Sequence, residues 1–253
     1  MLEQITLAQT FAYLLVFARL GAALALLPGF SAAYVTIRVR LILALALTLV
    51  VQPVVVDTLP GLPASPATLA LLVAGEVSIG TFIAVLVRIV VGALQVAGTF
   101  IAYFSSLANA LVQDPVADQQ TSTISGFLGT LGLVLIFVTD LHHLMLRAIV
   151  ESYDRFPPGM PLPTDGFAEA ATTAVAASMV VGLQLAAPFL VVALVYNVGL
   201  GLLGRLMPQL PVFFFGMPIQ ISFQIWALAL IISGIMLVFL NHFRETLSPF
   251  AGP

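Results

Sequence analysis

The sequence of 253 residues contains no cysteine and no lysine, and only 8% of its residues are charged. The lack of cysteine excludes disulfides, thiolate metal ligands and cysteine nucleophiles. All eight basic residues are arginine, and the formal net charge of −3 offers no basic surface of the kind that binds nucleic acid. Three histidines offer few metal ligands, so we predict no metal site and no cofactor. The charge balance predicts no nucleic-acid partner.

Apolar residues take the place of the missing charges. Hydrophobic residues make up 61% of the chain and the mean hydropathy is +1.15. Soluble domains carry about 25% charged residues, so this composition indicates an integral membrane protein. An acidic residue, Glu3, stands where a signal peptide would carry a basic one, and we therefore expect no cleaved signal.

Long apolar segments predict an all-α membrane protein with about six hydrophobic segments, since a span needs roughly 20 apolar residues. The predicted segments are residues 5–27, 41–56, 67–112, 124–153, 167–203 and 219–243. The third would be about 69 Å long as one helix, so it must project beyond the bilayer or break near residues 92–98. Pro188 is expected to kink the fifth segment. Pro208, Pro211 and Pro218 are expected to break the chain before the last segment, and residues 1–253 are expected to form one domain.

A polar segment interrupts this pattern at residues 113–125, with the sequence QDPVADQQTSTIS. A charged side chain at the centre of a bilayer costs about 2.5–3.5 kcal/mol on insertion scales. The segment is therefore predicted to lie outside the bilayer or to line a wet region inside a protein.

Isolated charges also lie within or near the ends of apolar segments, at Arg19, Glu76, Arg88 and Asp140. Such charges usually face a protein interior or a wet cavity and find a partner there. Glu76 and Arg88 are about 18 Å apart along one helix, so each needs a partner on another element or another chain. The alternative is that these side chains lie near helix ends and extend to the membrane interface.

A charged stripe is predicted on one helix face by the spacing of Asp140, His143, Arg147 and Glu151, with His142 beside it. One interpretation is a metal or proton-relay site of an intramembrane enzyme. The other is a solvated or subunit-facing helix end, which we favour because no nucleophile motif or phosphate-binding loop accompanies the stripe.

Short motifs follow one another in a fixed order along nearly the whole chain. They are Ala18-Arg19, Pro28-Gly29-Phe30, Val39-Arg40, Glu76, Ile79, Gly80, Gln95, Ala97, Gly98, Asp114-Pro115, Phe137, His142-His143, Ser152-Tyr153, Phe156-Pro157, Asn197, Gly199, Gly201, Arg205, Pro208, Gln209, Val212, Phe213, Gly216 and Pro218. In order and spacing they resemble the FliR family of flagellar biosynthetic proteins and its counterpart in virulence type III secretion. The sequence departs from the family pattern at Pro211, where asparagine is common, and at Asp140, where a neutral polar residue is common.

The resemblance implies a structural, pore-forming subunit of the type III export gate, with no catalysis of its own. Its implied partners are FliP-like and FliQ-like membrane subunits, an FlhB-like subunit and the lipid membrane. Unfolded flagellar proteins would cross the bacterial inner membrane through this gate, at the flagellar basal body. The implied fold consists of long, bent helical hairpins packed in a hetero-oligomeric complex.

Two sets of functional residues are predicted from the resemblance and from the polar residues together. A loop around residues 109–123 is implied to plug the closed channel, with Asn109, Gln113, Asp114, Pro115, Asp118, Gln119, Gln120 and Thr121 as its plug or lumen residues. Subunit packing or buried polar contacts are expected at Arg19, Glu76, Arg88, Asp140, His143, Arg147, Asn197, Arg205, Pro208 and Gln209.

A small-solute secondary transporter is the alternative of a different class. Glu76, Arg88 and the proline-broken stretch from Pro208 to Pro218 would then form a site at the bilayer midplane. Transporters of that kind usually show internal repeats, and the two halves of this sequence show no clear repeat.

Overall fold

The computed structural model of the chain describes residues 2–107, 111–114, 119–161, 164–209 and 211–250, with the backbone alone for residues 2–6, 111–114, 119–121 and 213. Within these residues it contains seven α-helices and one pair of short strands. In chain order they are α1 (Leu2–Leu26), α2 (Ile37–Val55), α3 (Pro66–Phe104), β1 (Leu111–Asp114), β2 (Gln119–Ser122), α4 (Thr123–Val138), α5 (Leu141–Arg155), α6 (Thr164–Leu206) and α7 (Val212–Leu247). Short 3-10 turns follow α2 and α7.

Five helical stretches are long and apolar enough to cross a membrane. They are Leu7–Leu26, Ile37–Thr58, Pro66–Phe104, Thr164–Leu206 and Phe214–Phe250. The pair formed by α4 and α5 is together long and apolar enough for a sixth span, although the two helices meet at a bend of 75°. The predicted all-α membrane protein with about six hydrophobic segments is confirmed.

Helix α3 runs without interruption through residues 92–98, so the alternative of a break there was wrong, and it ends at Phe104, short of the predicted segment end at residue 112. Its 39 residues give a length of about 59 Å, well beyond a hydrocarbon core of about 30 Å. The helix ends because Ser106 adopts a left-handed conformation, with φ at +60°. The amide of Leu107 then donates to the carbonyl of Ala102, and the amide of Ser106 donates to the carbonyl of Tyr103. This pair of hydrogen bonds is the Schellman pattern of helix termination.

The single helix predicted over residues 124–153 was also wrong, because the chain breaks between α4 and α5. Asp140 takes φ +60° at this break, a conformation that a short polar side chain tolerates better than most. Helix α4 is apolar along its length, whereas α5 is amphipathic and buries one face, with Leu141, Met145 and Ile149 among its core residues. The change from an apolar to an amphipathic helix coincides with the bend.

Helices α6 and α7 form a helical hairpin whose connection is confined to residues 207–211. Helix α6 continues through Pro188, and Pro218 lies inside α7, so the predicted break at Pro218 was wrong. Pro218 has no backbone N–H, so the helix loses the one backbone hydrogen bond that this group would have donated. Near the connection, the hydroxyl of Tyr196 donates to the carbonyl of Gly216 at 2.8 Å.

Contacts along the chain cluster into two compact units. The first comprises residues 1–90, 136–174 and 243–253, and the second comprises residues 91–135 and 175–242. Buried side chains of the first unit include Leu15, Val16, Leu24, Ile83, Val87, Met145 and Ile149; those of the second include Leu94, Ile101, Leu128, Phe189 and Phe239. A single domain over residues 1–253 stays a prediction.

Candidate functional site: a buried arginine cluster and an anchored polar hairpin

The first unit encloses a charged pair between three of its helices. Arg19 of α1 is 0% exposed and Glu76 of α3 is 1% exposed. Helices α1 and α3 approach closely here, because a Cβ atom added at Gly80 would overlap the carbonyl oxygen of Arg19. Both residues were predicted as buried polar groups, and the structure identifies each as the partner of the other.

The guanidinium of Arg19 is bonded on several sides, and we call this group the arginine cluster. Its Nε and Nη2 donate to the two carboxylate oxygens of Glu76 at 2.7 and 3.0 Å. Nη1 donates to Ser152 Oγ and Nη2 to the carbonyl of Phe156, both at 2.9 Å. The ring of Tyr153 lies under the guanidinium, with 3.8 Å between Cζ and the ring centroid. The cluster therefore fastens α1, α3 and the end of α5 together.

Energetically, such a cluster resists partial disruption. Removing one partner of a buried ion pair leaves an uncompensated charge and costs about 3–5 kcal/mol. The bidentate geometry adds orientation as well as energy, because two parallel N–H donors meet two oxygens. The arginine cluster therefore acts as a permanent fastening of the first unit.

Arg88, twelve residues after Glu76 on α3, has no such surroundings. Its side chain is exposed, and the described part of the chain provides it with no hydrogen bond or ion pair. The transporter hypothesis placed Glu76 and Arg88 in one site. In the structure Glu76 is buried against Arg19, whereas Arg88 is exposed.

The charged stripe of α5 lies on the exposed side of the helix, and whether it faces water or another subunit stays a prediction. Arg147 donates to Glu151, and His143 Nδ1 lies 3.8 Å from Asp140 Oδ1. The side chains of Asp140 and His143 are 80% and 71% exposed. This exposure fits a polar helix face rather than an enclosed reaction centre.

Asp140, His142 and His143 nevertheless bring their ligand atoms within 4.8 Å of one another. A histidine that binds a metal usually donates its second ring nitrogen to an acceptor. The buried Nδ1 of His142 has no hydrogen-bond partner within the described residues, and its ring is stacked on Phe137 with centroids 4.9 Å apart. Exposed acidic groups often lie together without an ion, so this arrangement does not by itself define a metal centre.

The predicted polar segment forms an antiparallel pair of strands in the second unit. Leu111 pairs with Ser122 at the base of this pair, and Asp114 pairs with Gln119 at its far end. We call residues 111–122 the polar hairpin. Among the predicted plug residues, Asn109, Pro115 and Asp118 lie outside the described residues, and for Gln113, Asp114, Gln119, Gln120 and Thr121 only the backbone is described.

The chain entering the polar hairpin is held by α7. Gln220, which is 5% exposed, donates its Nε2 to the carbonyl of Phe104 at 3.0 Å. Phe104 is the last residue of α3, and the last carbonyls of a helix have no intrahelical donor. Gln220 therefore caps α3 at the point where the chain leaves for β1.

The chain leaving the polar hairpin is held by α3 itself. Ser122 Oγ accepts from the amide of Ser125 at 3.2 Å, and Ser125 Oγ donates to the carbonyl of Gln95 at 3.0 Å. A Cβ atom added at Gly98 would overlap the backbone of Ser125. Helices α3 and α4 therefore touch backbone to backbone, and both ends of the polar hairpin are anchored.

The predicted residues at the α6–α7 connection lie on the surface of the second unit. Asn197, Arg205, Pro208 and Gln209 are all exposed, and Asn197 Nδ2 donates to the carbonyl of Ala193 in its own helix. An apolar groove of about 650 Å³ lies between the two helices. These residues are available to a neighbouring chain, and their role in subunit packing stays a prediction.

Sequence reasoning missed the two glutamines of α7. Gln224, one turn after Gln220, is 1% exposed and donates to the carbonyl of Phe189 at 3.3 Å. The signal was present, because two amide side chains four residues apart lie on one face of an otherwise apolar helix. Neutral polar residues within a span are less conspicuous than charges, and this face was overlooked.

These features define a class of protein: a membrane protein of long helices that encloses charge in one unit and holds a polar hairpin between apolar helices in the other. The family described as "Bacterial export proteins, family 1" matches residues 10–246. The chain belongs to this family, and the predicted resemblance is confirmed.

Individual relatives cover nearly the whole chain. The flagellar biosynthetic protein FliR of Caulobacter vibrioides is 37% identical over 245 residues, which is 97% of this chain and 98% of that protein. FliR of Bacillus subtilis is 28% identical over 239 residues, or 93% and 92% of the two chains. The Yop proteins translocation protein T of Yersinia pestis is 30% identical over 209 residues, or 77% and 79%.

Proposed function

We propose that this chain is a structural, pore-forming subunit of the flagellar type III protein export apparatus. The observation that carries the proposal is the match to FliR of Caulobacter vibrioides, which extends over 97% of this chain and 98% of the relative. Its place would be the bacterial inner membrane at the flagellar basal body. Its cargo would be unfolded flagellar proteins.

The exposed surface supports a role inside a complex. Large apolar side chains cover the α6–α7 hairpin, including Leu194, Leu202, Phe214 and Trp226, each about 60% exposed or more. Lipid could cover these residues, but it suits Arg205 of the same hairpin poorly, since charged groups in spans usually face protein or water. FliP-like, FliQ-like and FlhB-like subunits are the proposed neighbours.

We assign no reaction to this chain. Arg19 and Glu76, its most enclosed charged groups, are bonded to each other and to protein groups around them. A substrate has no access to them, so their role is to hold helices together. Energy for export would come from other components.

The polar hairpin is proposed to plug the resting channel. A plug has to exclude ions yet move aside for an unfolded chain, and polar side chains leave no adhesive apolar patch when it moves. Anchoring at Gln220 and Ser125 keeps the two ends of the hairpin in place. Deleting residues 113–121 is expected to leave assembly intact and to make the closed pore permeable to ions.

Membership of the complex is tested by purifying an affinity-tagged version of the chain from native membranes. The expected result is one high-mass particle that contains two small, very hydrophobic helical proteins. A stable, monodisperse chain that purifies alone would contradict the proposal and favour the small-solute transporter.

The injectisome counterpart is the second candidate, supported by the 30% identity to the Yop proteins translocation protein T. A deletion strain separates the two. Loss of flagellar filaments supports the flagellar assignment, and loss of virulence-protein secretion with intact filaments supports the alternative.

A further inference from the structure

One face of α3 in the first unit differs from the rest of the helix. Ala74, Ser78, Thr81, Val85 and Arg88 step by four, three, four and three residues, so they lie on one side of the helix. All five are exposed or half-exposed. We call these five residues the α3 stripe.

The composition of the α3 stripe does not suit lipid. The buried side of the same helix carries large apolar residues such as Ile79, Ile83 and Val87. The stripe carries two hydroxyls, an alanine and a guanidinium besides the apolar Val85, and the exposed Leu71 continues the same side toward the start of α3. Ser78 Oγ already donates to the carbonyl of Ala74 in its own helix at 2.8 Å. Lipid would therefore leave mainly the guanidinium of Arg88 unsatisfied, since acyl chains offer no acceptor.

Arg88 is not a helix-end residue. It lies about 33 Å from the first residue of α3 and about 24 Å from the last, at 1.5 Å per residue. The described residues supply it with no carboxylate, whereas Arg19 on the other side of the helix meets Glu76 in bidentate geometry. A guanidinium in an apolar span needs a similar acceptor, and no residue that the structure describes supplies one.

We propose that the α3 stripe is the docking surface for a membrane helix of a neighbouring subunit, which places a carboxylate opposite Arg88. The small side chains of Ala74 and Ser78 let a second helix approach closely, as small residues do at helix contacts in membranes. The hydroxyl of Thr81 can donate across such a contact, whereas that of Ser78, which donates to the carbonyl of Ala74, can accept there. The proposal rests on the proposed membership of a multi-subunit export complex, and it adds the surface and the chemistry of the partner.

The test introduces Arg88→Glu and Arg88→Lys into the tagged chain and measures recovery of the high-mass particle from native membranes. Arg88→Glu should lower recovery at least tenfold at an unchanged amount of chain in the membrane, because two carboxylates would then face each other. Arg88→Lys should retain at least half of the recovery. Arg38→Glu is the matched control, since Arg38 is also an exposed arginine of the first unit, and it should assemble normally.

A charge exchange makes the test specific. A photo-crosslinking amino acid at Val85 identifies the neighbouring helix and its acidic residue. Changing that residue to arginine should restore assembly of the Arg88→Glu variant. A crosslinked helix without a carboxylate, or an exchange that restores nothing, would overturn the proposal.

Water is the other environment that could accept Arg88. In that case Arg88→Cys in the assembled complex would react with a membrane-impermeant maleimide as fast as a surface cysteine, and the docking proposal would fail. Normal assembly of Arg88→Glu would also sink it, while leaving the export function standing. Failure of the unmodified chain to enter any particle would instead remove the proposed function.

Discussion

Two polar fastenings in this protein differ in their chemistry. One is the arginine cluster of the first unit, and the other is the pair of anchors at the ends of the polar hairpin in the second unit. Each fastens neighbouring elements with polar groups enclosed in an apolar protein. The arginine cluster uses an ion pair with two further hydrogen bonds to Arg19. The hairpin anchors use an amide at Gln220 and a hydroxyl at Ser125, each bonded to a backbone carbonyl.

The difference in strength indicates which region can move. Removing one partner of a buried ion pair costs about 3–5 kcal/mol, whereas removing one partner of a buried neutral hydrogen bond costs about 1–3 kcal/mol. Thermal motion or an arriving chain can break a neutral hydrogen bond such as that of Gln220 or Ser125 without unfolding the unit around it. The arginine cluster is therefore the stronger of the two fastenings, and the anchors of the polar hairpin are the weaker.

The largest expected effect comes from breaking the arginine cluster. Arg19→Met leaves the Glu76 carboxylate buried without its partner, and it should destabilise the chain by about 3–5 kcal/mol. Denaturant unfolding of the tagged chain within its purified particle measures this loss. Adding Glu76→Leu should recover most of it, since an apolar pair leaves no unpaired charge. A double variant as unstable as Arg19→Met alone would show that the ion pair is not the cause.

The contact between α3 and α4 gives the next effect. Gly98→Ala places a methyl group into the backbone of Ser125, and overpacking of this kind costs about 1–3 kcal/mol. Gly92→Ala is the matched control, because an added Cβ meets no atom within 4 Å there. It should be neutral or stabilise the helix by about 0.5–1 kcal/mol. Equal unfolding midpoints for the two variants would rule out the close contact.

A loss of stability of similar size is expected for Gln220→Leu, which removes the cap from the Phe104 carbonyl. The cost should be about 1–3 kcal/mol, because a buried acceptor is left unsatisfied. The assembled complex should leak ions more than the unmodified complex and less than one that lacks residues 113–121. Ser222→Ala is the control, since Ser222 bonds only within its own helix, and leakage equal to this control would contradict the anchoring role.

The helices were predictable from sequence because apolar composition alone decides what can cross a bilayer. Their ends were less predictable. The break at Asp140 and the end of α3 at Ser106 both depend on a single residue with φ at +60°, and neither position carries the glycine that usually marks such a conformation.

The sequence predicted that the candidate site would contain enclosed polar residues, but it did not predict which residues bond to each other. Hydropathy showed that Glu76 needed a partner, yet Arg19 lies 57 residues away in sequence and only the fold brings the two together. The polar segment was located correctly, while its strands were not expected. The amide of Gln220 bonds to a residue 116 positions away, so no local pattern could reveal that contact.

The most direct measurement uses the absence of cysteine from the chain. Gln113→Cys in the polar hairpin and Ala148→Cys in the buried face of α5 each introduce one thiol. Alkylation by a membrane-impermeant maleimide is then compared in resting and in exporting cells. The account predicts that position 113 reacts faster during export while position 148 stays unreactive in both states. An unchanged rate at position 113, with export running, would contradict a hairpin that is released from the channel.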